Sequence, residues 1–188
     1  PLKIYFYKEC SGRFSSKKYS LDIKNLKDSY RHLTNVSINK KNKEYLTPGE
    51  ADTEEGSKWS LAAYRNYCEK HNINYKKIRA QMSDIIIKSF ISVHSEFVKK
   101  IKKTKASYHT FIQLFGFDFI VDENLKVYLL EINDRPSLMM GDINDYKVKP
   151  RLVNDVLNIA GIVPYYHDYK TDFVPYDEQA KAFPNAMS

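Results

Sequence analysis

What is scarce in this 188-residue chain narrows its class first. There are two cysteines, Cys10 and Cys68, far apart and without metal-ligand spacing. That excludes a disulfide-stapled scaffold or a thiolate metal centre and suits a reduced, cytosolic protein, with a single Cys10–Cys68 bridge left open. No apolar run approaches the ~20 residues that cross a bilayer, and no signal peptide is visible, so a membrane partner is not expected. There is no internal repeat. Nor is there a nucleic-acid-binding module or aromatic stacking motif, so a nucleic-acid partner is not expected either. The chain opens at Pro1, without a methionine and inside an expected strand, and is read as a fragment; a missing targeting signal therefore leaves the longer protein's destination open.

Hydrophobic residues make up 43% and charged residues 28%, the balance of an ordinary soluble globular domain. Fifteen tyrosines and ten phenylalanines predict an aromatic-rich core. Net charge is +7 and pI about 9.2, which favours an acidic partner, although a solvated basic surface accounts for the charge equally well. The one dense basic run, Lys99-Lys100-Ile101-Lys102-Lys103-Thr104-Lys105, ends an expected helix, where cations complement the helix dipole.

Along the chain, Leu2–Tyr7 alternates as a strand does, Ser11-Gly12 has turn chemistry, and Arg13-Phe14-Ser15 is the expected start of a returning strand. Ser16–Tyr30 is polar loop, and Arg31–Asn42 has no clean period. Lys43–Ser57, with Pro48, two glycines and several acids, is expected to be mobile. Ser57–His71 is an expected helix burying Trp59, Leu61, Ala62, Tyr64 and Tyr67. Tyr75–Lys103 is a long one, with Ile78, Met82, Ile85, Ile86, Ser89, Val93 and Phe97 on its apolar stripe. Asn144–Ala160 forms another, stopped by Gly161 and Pro164, and 165–188 is a polar extended tail. This order predicts an α+β fold in which helices cover an antiparallel sheet.

The chemistry concentrates in two apolar, β-prone runs, Phe115–Asp122 and Val127–Asn133. The polar break Glu123-Asn124-Leu125-Lys126 between them signals a hairpin. Pairing Asp122 with Val127 puts Phe117 beside Ile132 and Phe119 beside Leu130, with Tyr128, Leu130 and Ile132 on the core face. The same register sets Asp118 directly across from Glu131, with Asn133 on the same face. Two facing carboxylates repel. A divalent cation would relieve this, and carboxylate and amide oxygens suit magnesium, which binds one or two carboxylates plus substrate phosphates. The bland alternative is a wetted polar strand face. Local alternatives exist elsewhere too. Arg13 could be a surface arginine, although its fork fits a carboxylate or phosphate. Thr34 and Asn35 could simply cap or turn the chain. His32 is expected to pack, Trp59 to be core, and Lys147 and Lys149 to lie on a solvated face. Lys58 is expected at a helix start, where a cation opposes the dipole and a functional reason becomes plausible.

Several stretches in order, HLTNVSINKKN (32–42), GSKWSL (56–61), DIIIKSFIS (84–92), FGFDFIVDENLKVYLLEIN (115–133) and RPSL (135–138), resemble the tubulin tyrosine ligase-like family, and its polyglutamylase branch most. The resemblance covers about residues 2–164. It implies the C-terminal half of an ATP-grasp ligase domain over 1–164, an antiparallel sheet flanked by helices, with the adenine-binding segments and nucleotide lysine upstream. By motif position it implies that Asp118, Glu131 and Asn133 are magnesium ligands and that Thr34 and Asn35 contact ATP. Arg13 would face the incoming amino acid, and Ser37 and Lys58 would help hold it. Val36 stands where many members carry tyrosine, Asp134-Arg135 replaces a small or apolar pair, and Cys10-Ser11 replaces a Glu-Gly turn.

The expected function is therefore an ATP-dependent ligase that adds free glutamate to acidic side chains of protein tails, tubulin or microtubules above all, through an acylphosphate. It is expected to be a monomer, cytoplasmic and cytoskeletal, with cilium and basal body as sites. Arg13 and Glu131 would be catalytic. Glycine or tyrosine as donor stays open, and the rival reading is a non-catalytic basic microtubule-binding module or pseudoenzyme fragment.

Overall fold

An isolated two-stranded ribbon is marginal in water, and each ribbon of this chain lies against a helix. The computed structural model describes residues 2–47, 51–104 and 111–162. Strand β1 (Ser11–Arg13) leads through a 3-10 turn (Ile23–Asn25) and two one-turn helices, α1 (Ser29–His32) and α2 (Val36–Asn39). Then follow β2 (Lys58–Ser60), α3 (Leu61–Lys70), α4 (Tyr75–Lys103), β3 (Gly116–Val121), β4 (Val127–Asn133) and α5 (Ile143–Ile159). Among the described residues β1 pairs with β2 and β3 with β4, both antiparallel, in two separate sheets. The α+β class expected from the sequence holds.

Helix boundaries follow capping chemistry. Ser60 Oγ accepts from Ala63 N (3.1 Å) and starts α3, and Asn74 Oδ1 accepts from Lys77 N (3.0 Å) and starts α4. At the end of α5, Gly161 has φ +71°; its N–H donates to Asn158 O (3.1 Å) and Ile162 N donates to Leu157 O (3.0 Å), a Schellman stop. The core gathers Leu61, Ala63 and Cys68 of α3, Ile78 and Ile86 of α4, and Val127 of β4. Both cysteines are free thiols.

Helix α4 supports the β3–β4 hairpin. Phe90 meets Phe115 and Phe117 at ring distances of 5.2 and 5.7 Å, and Phe117 stacks on Phe119 at 6.1 Å. Gln81 grips the turn: its Nε2 donates to Leu125 O (2.7 Å) and its Oε1 accepts from Val127 N (3.2 Å). The turn itself is held by Asp122 Oδ1, which accepts from Asn124 N (2.9 Å) and Lys126 N (2.8 Å), with Leu125 at φ +60°.

That turn corrects the expected register. The last pair before it is Val121↔Val127, one residue off the expected Asp122↔Val127, and Phe119 opposes Leu129 rather than Leu130. A bulge at Leu130 takes up the extra residue, so Phe117↔Ile132 and Asp118↔Glu131 pair as expected. The slip inverts the near half of β4. Val127 is 5% exposed and faces inward, whereas Leu130, expected in the core, is 62% exposed, and Tyr128 and Ile132 are exposed as well.

Other expectations are corrected. Leu2–Tyr7 forms no strand; Arg79 Nη2 donates to Tyr7 O (3.2 Å) and its guanidinium lies 3.4 Å over the Phe6 ring, taking the place of a strand partner. Ser11-Gly12 is not a turn but part of β1, paired with Ser60 and Trp59. Ser57–Ser60 is not helix, because β1 draws 58–60 into a ribbon and Ser60 caps α3 behind it. Trp59 is half-buried, packed on Phe14 (4.6 Å) and Tyr67 (5.4 Å), with its indole N–H donating to Gly56 O (3.0 Å). Val93 is exposed. Within 43–57, positions 48–50 lie outside the described residues, and the expected tail 165–188 does too; Ser57 N is pinned to Leu46 O (2.8 Å).

Ile78 is fully buried where α4 begins. Ile78→Ala should lower unfolding free energy by about 2–5 kcal/mol in urea denaturation, with the slope unchanged.

Candidate functional site

The site is assembled from both ribbons. In the first, Arg13 pairs directly with Lys58, so the two cations occupy the same face of a three-residue ribbon. The ribbon is extended at its ends by Phe14 N donating to Ser57 O (2.8 Å) and Leu61 N donating to Cys10 O (2.9 Å). Two like charges at neighbouring positions need separate counter-charges, and each has one. Arg13 Nη2 donates to Asp118 Oδ2 at 2.6 Å, bridging the first ribbon to the hairpin. Both groups are about one-third exposed, so water screens the pair and it contributes orientation more than stability.

On the hairpin, Asp118 opposes Glu131 and Gly116 opposes Asn133. Asn133 Nδ2 donates to Glu131 Oε1 (3.2 Å). A Cβ on Gly116 would stand 3.0 Å from Pro136 Cβ, so glycine there lets the chain after β4 fold back over the end of β3. The expected facing carboxylates and amide are thus together. Among the described residues no group of three or more His, Cys, Asp and Glu could hold a metal. The oxygen donors gathered here are instead two carboxylates and an amide, a type of donor that hard cations accept.

Lys58 turns to the start of α5. Its Nζ lies 2.7 Å from Asp142 Oδ2 and 2.8 Å from Asp145 Oδ1, and the lysine is 7% exposed. Burial alone pushes its ammonium pKa down, but hydrogen bonds and attraction from Asp142 and Asp145 outweigh that and hold it above its ordinary value. Asp145 is pushed up by burial, then more strongly down by Lys58, by the Gly141 N–H and by Lys149, and ends below the usual carboxylate range. Asp142 Oδ1 meanwhile accepts from Asn144 N and Asp145 N (3.0 Å each) as the cap of α5. Lys58 is therefore not at the start of α3 as expected; the helix end it faces is that of α5, where two acids offset the unfavourable dipole.

The remaining candidates lie between α1 and α2 (Thr34, Asn35) and within α2 (Ser37). Thr34 is half-buried and Asn35 and Ser37 are exposed. Asn35 stands at the cap position of α2, but its side chain makes no capping bond; its carbonyl accepts from Asn39 N (2.9 Å). Asn39, which no local motif marks, is fully buried and organises this turn. Its Oδ1 accepts from Ser16 N (2.9 Å) and Ser16 Oγ (2.7 Å), and its Nδ2 donates to Leu33 O (2.7 Å) and Asn35 O (3.2 Å). All four hydrogen-bonding positions of the amide are used. Asn39 ties Thr34-Asn35 to Ser16, on the loop that follows Arg13, though among the described residues no hydrogen bond joins Thr34, Asn35 or Ser37 to the acidic face.

His32 packs as expected: Nε2 donates to Asn25 O (3.0 Å) and the ring meets Tyr19 edge-on at 5.4 Å. Lys147 and Lys149 are not simply solvated; Lys147 pairs with Asp52, and Lys149 with Asp145 (3.2 Å). Asp142 and Asp145 had a readable signal, acids at cap and third position ahead of an apolar run. Asn39 had none.

Asn39→Asp replaces two donors with an oxygen facing two carbonyls. It should cost about 1–3 kcal/mol at neutral pH in urea unfolding. Because the folded pKa of Asp145 is depressed, its stabilisation is present above the unfolded carboxylate value and is lost as pH falls through the folded one. The stability gap between parent and Asp145→Asn should be full near pH 6 and close below pH ~3.8, read by denaturation across pH.

Comparison with known proteins identifies the family. The profile of the Tubulin-tyrosine ligase family matches residues 1–170. Tubulin monoglutamylase TTLL4 of Mus musculus is 38% identical over 163 residues, covering 87% of this chain and 14% of its own length. Tubulin polyglutamylase TTLL5 of Homo sapiens is 34% identical over 164 residues, covering 87% of this chain and 13% of its own length. Tubulin polyglutamylase ttll-4 of Caenorhabditis elegans is 35% identical over 176 residues, covering 92% and 28%. The chain thus spans 13–28% of the length of these relatives, and, matched over most of its own length, it belongs to the tubulin-tyrosine ligase family.

Proposed function

We propose that this chain is the C-terminal half of an ATP-grasp ligase domain, spanning 1–164, that joins free glutamate to acidic side chains of protein tails, tubulin first among them. The observation that carries the reading is the Asp118↔Glu131 pairing with Arg13 seated on Asp118. A strand pair that holds two carboxylates opposite each other and recruits an arginine beside them suits a polyphosphate and its cation better than water alone. Relatives named as tubulin glutamylases support the substrate class.

Asp118, Glu131 and Asn133 would hold magnesium, which when bound neutralises phosphate charge. Thr34 and Asn35 would contact ATP, on a turn braced by Asn39. Arg13 orients a carboxylate or phosphate through its fork, and Ser37 and Lys58 help hold the donor amino acid. A carboxylate is a poor electrophile at neutral pH. Its oxygen takes the terminal phosphoryl group of ATP and ADP leaves. The glutamate amine, losing a proton, then attacks the acyl carbon and phosphate departs, leaving an amide. Such transfer depends on placement and charge neutralisation more than on covalent help from the protein. The +7 net charge would draw an acidic tail.

Glu131→Gln keeps the shape of the side chain and removes its charge. In the full-length protein it should lower ligation of labelled glutamate to tubulin by about 100-fold or more, with the fold intact by circular dichroism. Wild-type turnover by this variant would refute the assignment.

A further inference from the structure

The Lys58 cluster contains more than a substrate-holding lysine requires. Two of its three N–H groups are engaged, by Asp142 Oδ2 and Asp145 Oδ1, at 2.7 and 2.8 Å. Both carboxylates are themselves fixed. Asp142 is bound through Oδ1 to two α5 amides, while Asp145 Oδ2 accepts from Gly141 N (3.2 Å) and its Oδ1 also meets Lys149. The backbone is tied as well, since Asn144, 3% exposed, donates from Nδ2 to Lys58 O (3.4 Å). Among the described residues the third N–H of Lys58 meets no acceptor, and the side chain leaves the ribbon on the face shared with Arg13. Two lysines and two aspartates leave the cluster without net charge. It therefore offers an oriented donor rather than a general attraction for anions, and a lysine stripped of rotamer freedom can discriminate where a free one cannot.

We propose that Asp142 and Asp145 are positioning residues that act through Lys58 to select a donor amino acid bearing a second carboxylate. This rests on the reading of Lys58 as a donor-holding residue. One acid caps α5 and the other sits in its first turn, so the helix start is a clamp built into the donor site.

The test uses the full-length protein with Asp145→Ala, Asp142→Ser (which keeps a helix cap), Lys58→Met, and the Asp145→Ala/Lys58→Met pair. In Asp145→Ala and Asp142→Ser the KM for glutamate should rise about 5-fold or more, with the KM for ATP within about 2-fold of parent. In the Lys58→Met background, Asp145→Ala should add less than about 2-fold, since the effect passes through Lys58. Independently of activity, Lys58 should react with an amine-acylating reagent about 5-fold faster in Asp145→Ala, read by mass spectrometry. A full additional rise in the double variant, or unchanged Lys58 labelling, overturns the clamp. A Lys58→Met protein with parental glutamate KM overturns the proposal through the reading beneath it, and raised labelling in Asp145→Ala then shows that the reading, not the clamp, failed.

Discussion

Two cations share one face of a three-residue ribbon, and that single constraint organises the molecule. Arg13 and Lys58 sit opposite each other on β1–β2, where like charges repel. They are kept there because each is answered from a different direction, Arg13 by Asp118 of the hairpin and Lys58 by Asp142 and Asp145 of α5. The hairpin, the ribbon and the last helix thereby meet at one place. The two halves differ in kind. The Arg13–Asp118 pair is partly open to water and free to exchange partners at little cost. The Lys58 cluster is buried, and removing one partner would strand a charge, an effect of about 3–5 kcal/mol in comparable settings.

In the hairpin the site keeps its geometry through a local shift of register. The turn uses one residue more than its polar break suggests, because Asp122 caps it and Leu125 takes a left-handed conformation. The extra residue would have sent Glu131 out of line with Asp118. Leu130 absorbs it as a bulge, and pairing beyond that point returns to the expected register. Bulges near sites re-aim side chains in this manner. The consequence is an exposed Leu130 and a buried Val127, the reverse of what strict alternation gives.

Buried polar groups carry the rest of the architecture. Asn39 and Asn144 are nearly inaccessible, and their amides join segments far apart in sequence, Ser16 to the Asn35 turn in one case and Asp52 to Lys58 in the other. A satisfied buried amide specifies one arrangement, since any shift would leave a donor or acceptor without a partner.

Much of this was legible in the residues. The 3.6-residue apolar stripe defined α4 from Tyr75 to Lys103, the Gly161 stop defined the end of α5, and the two β-prone runs placed Asp118 across from Glu131 with Asn133 beside them. These depend on local periodicity and capping, which the chain carries in every short window. Strand partners do not. That β1 would pair with Lys58–Ser60 across almost fifty residues, and that Leu2–Tyr7 would pair with nothing among the described residues, depends on which distant edge is within reach. The partners of Lys58, the bulge at Leu130 and the role of Asn39 likewise belong to the tertiary structure. A side chain's charge is written in the sequence, but the group that neutralises it is chosen only when separate elements pack against one another.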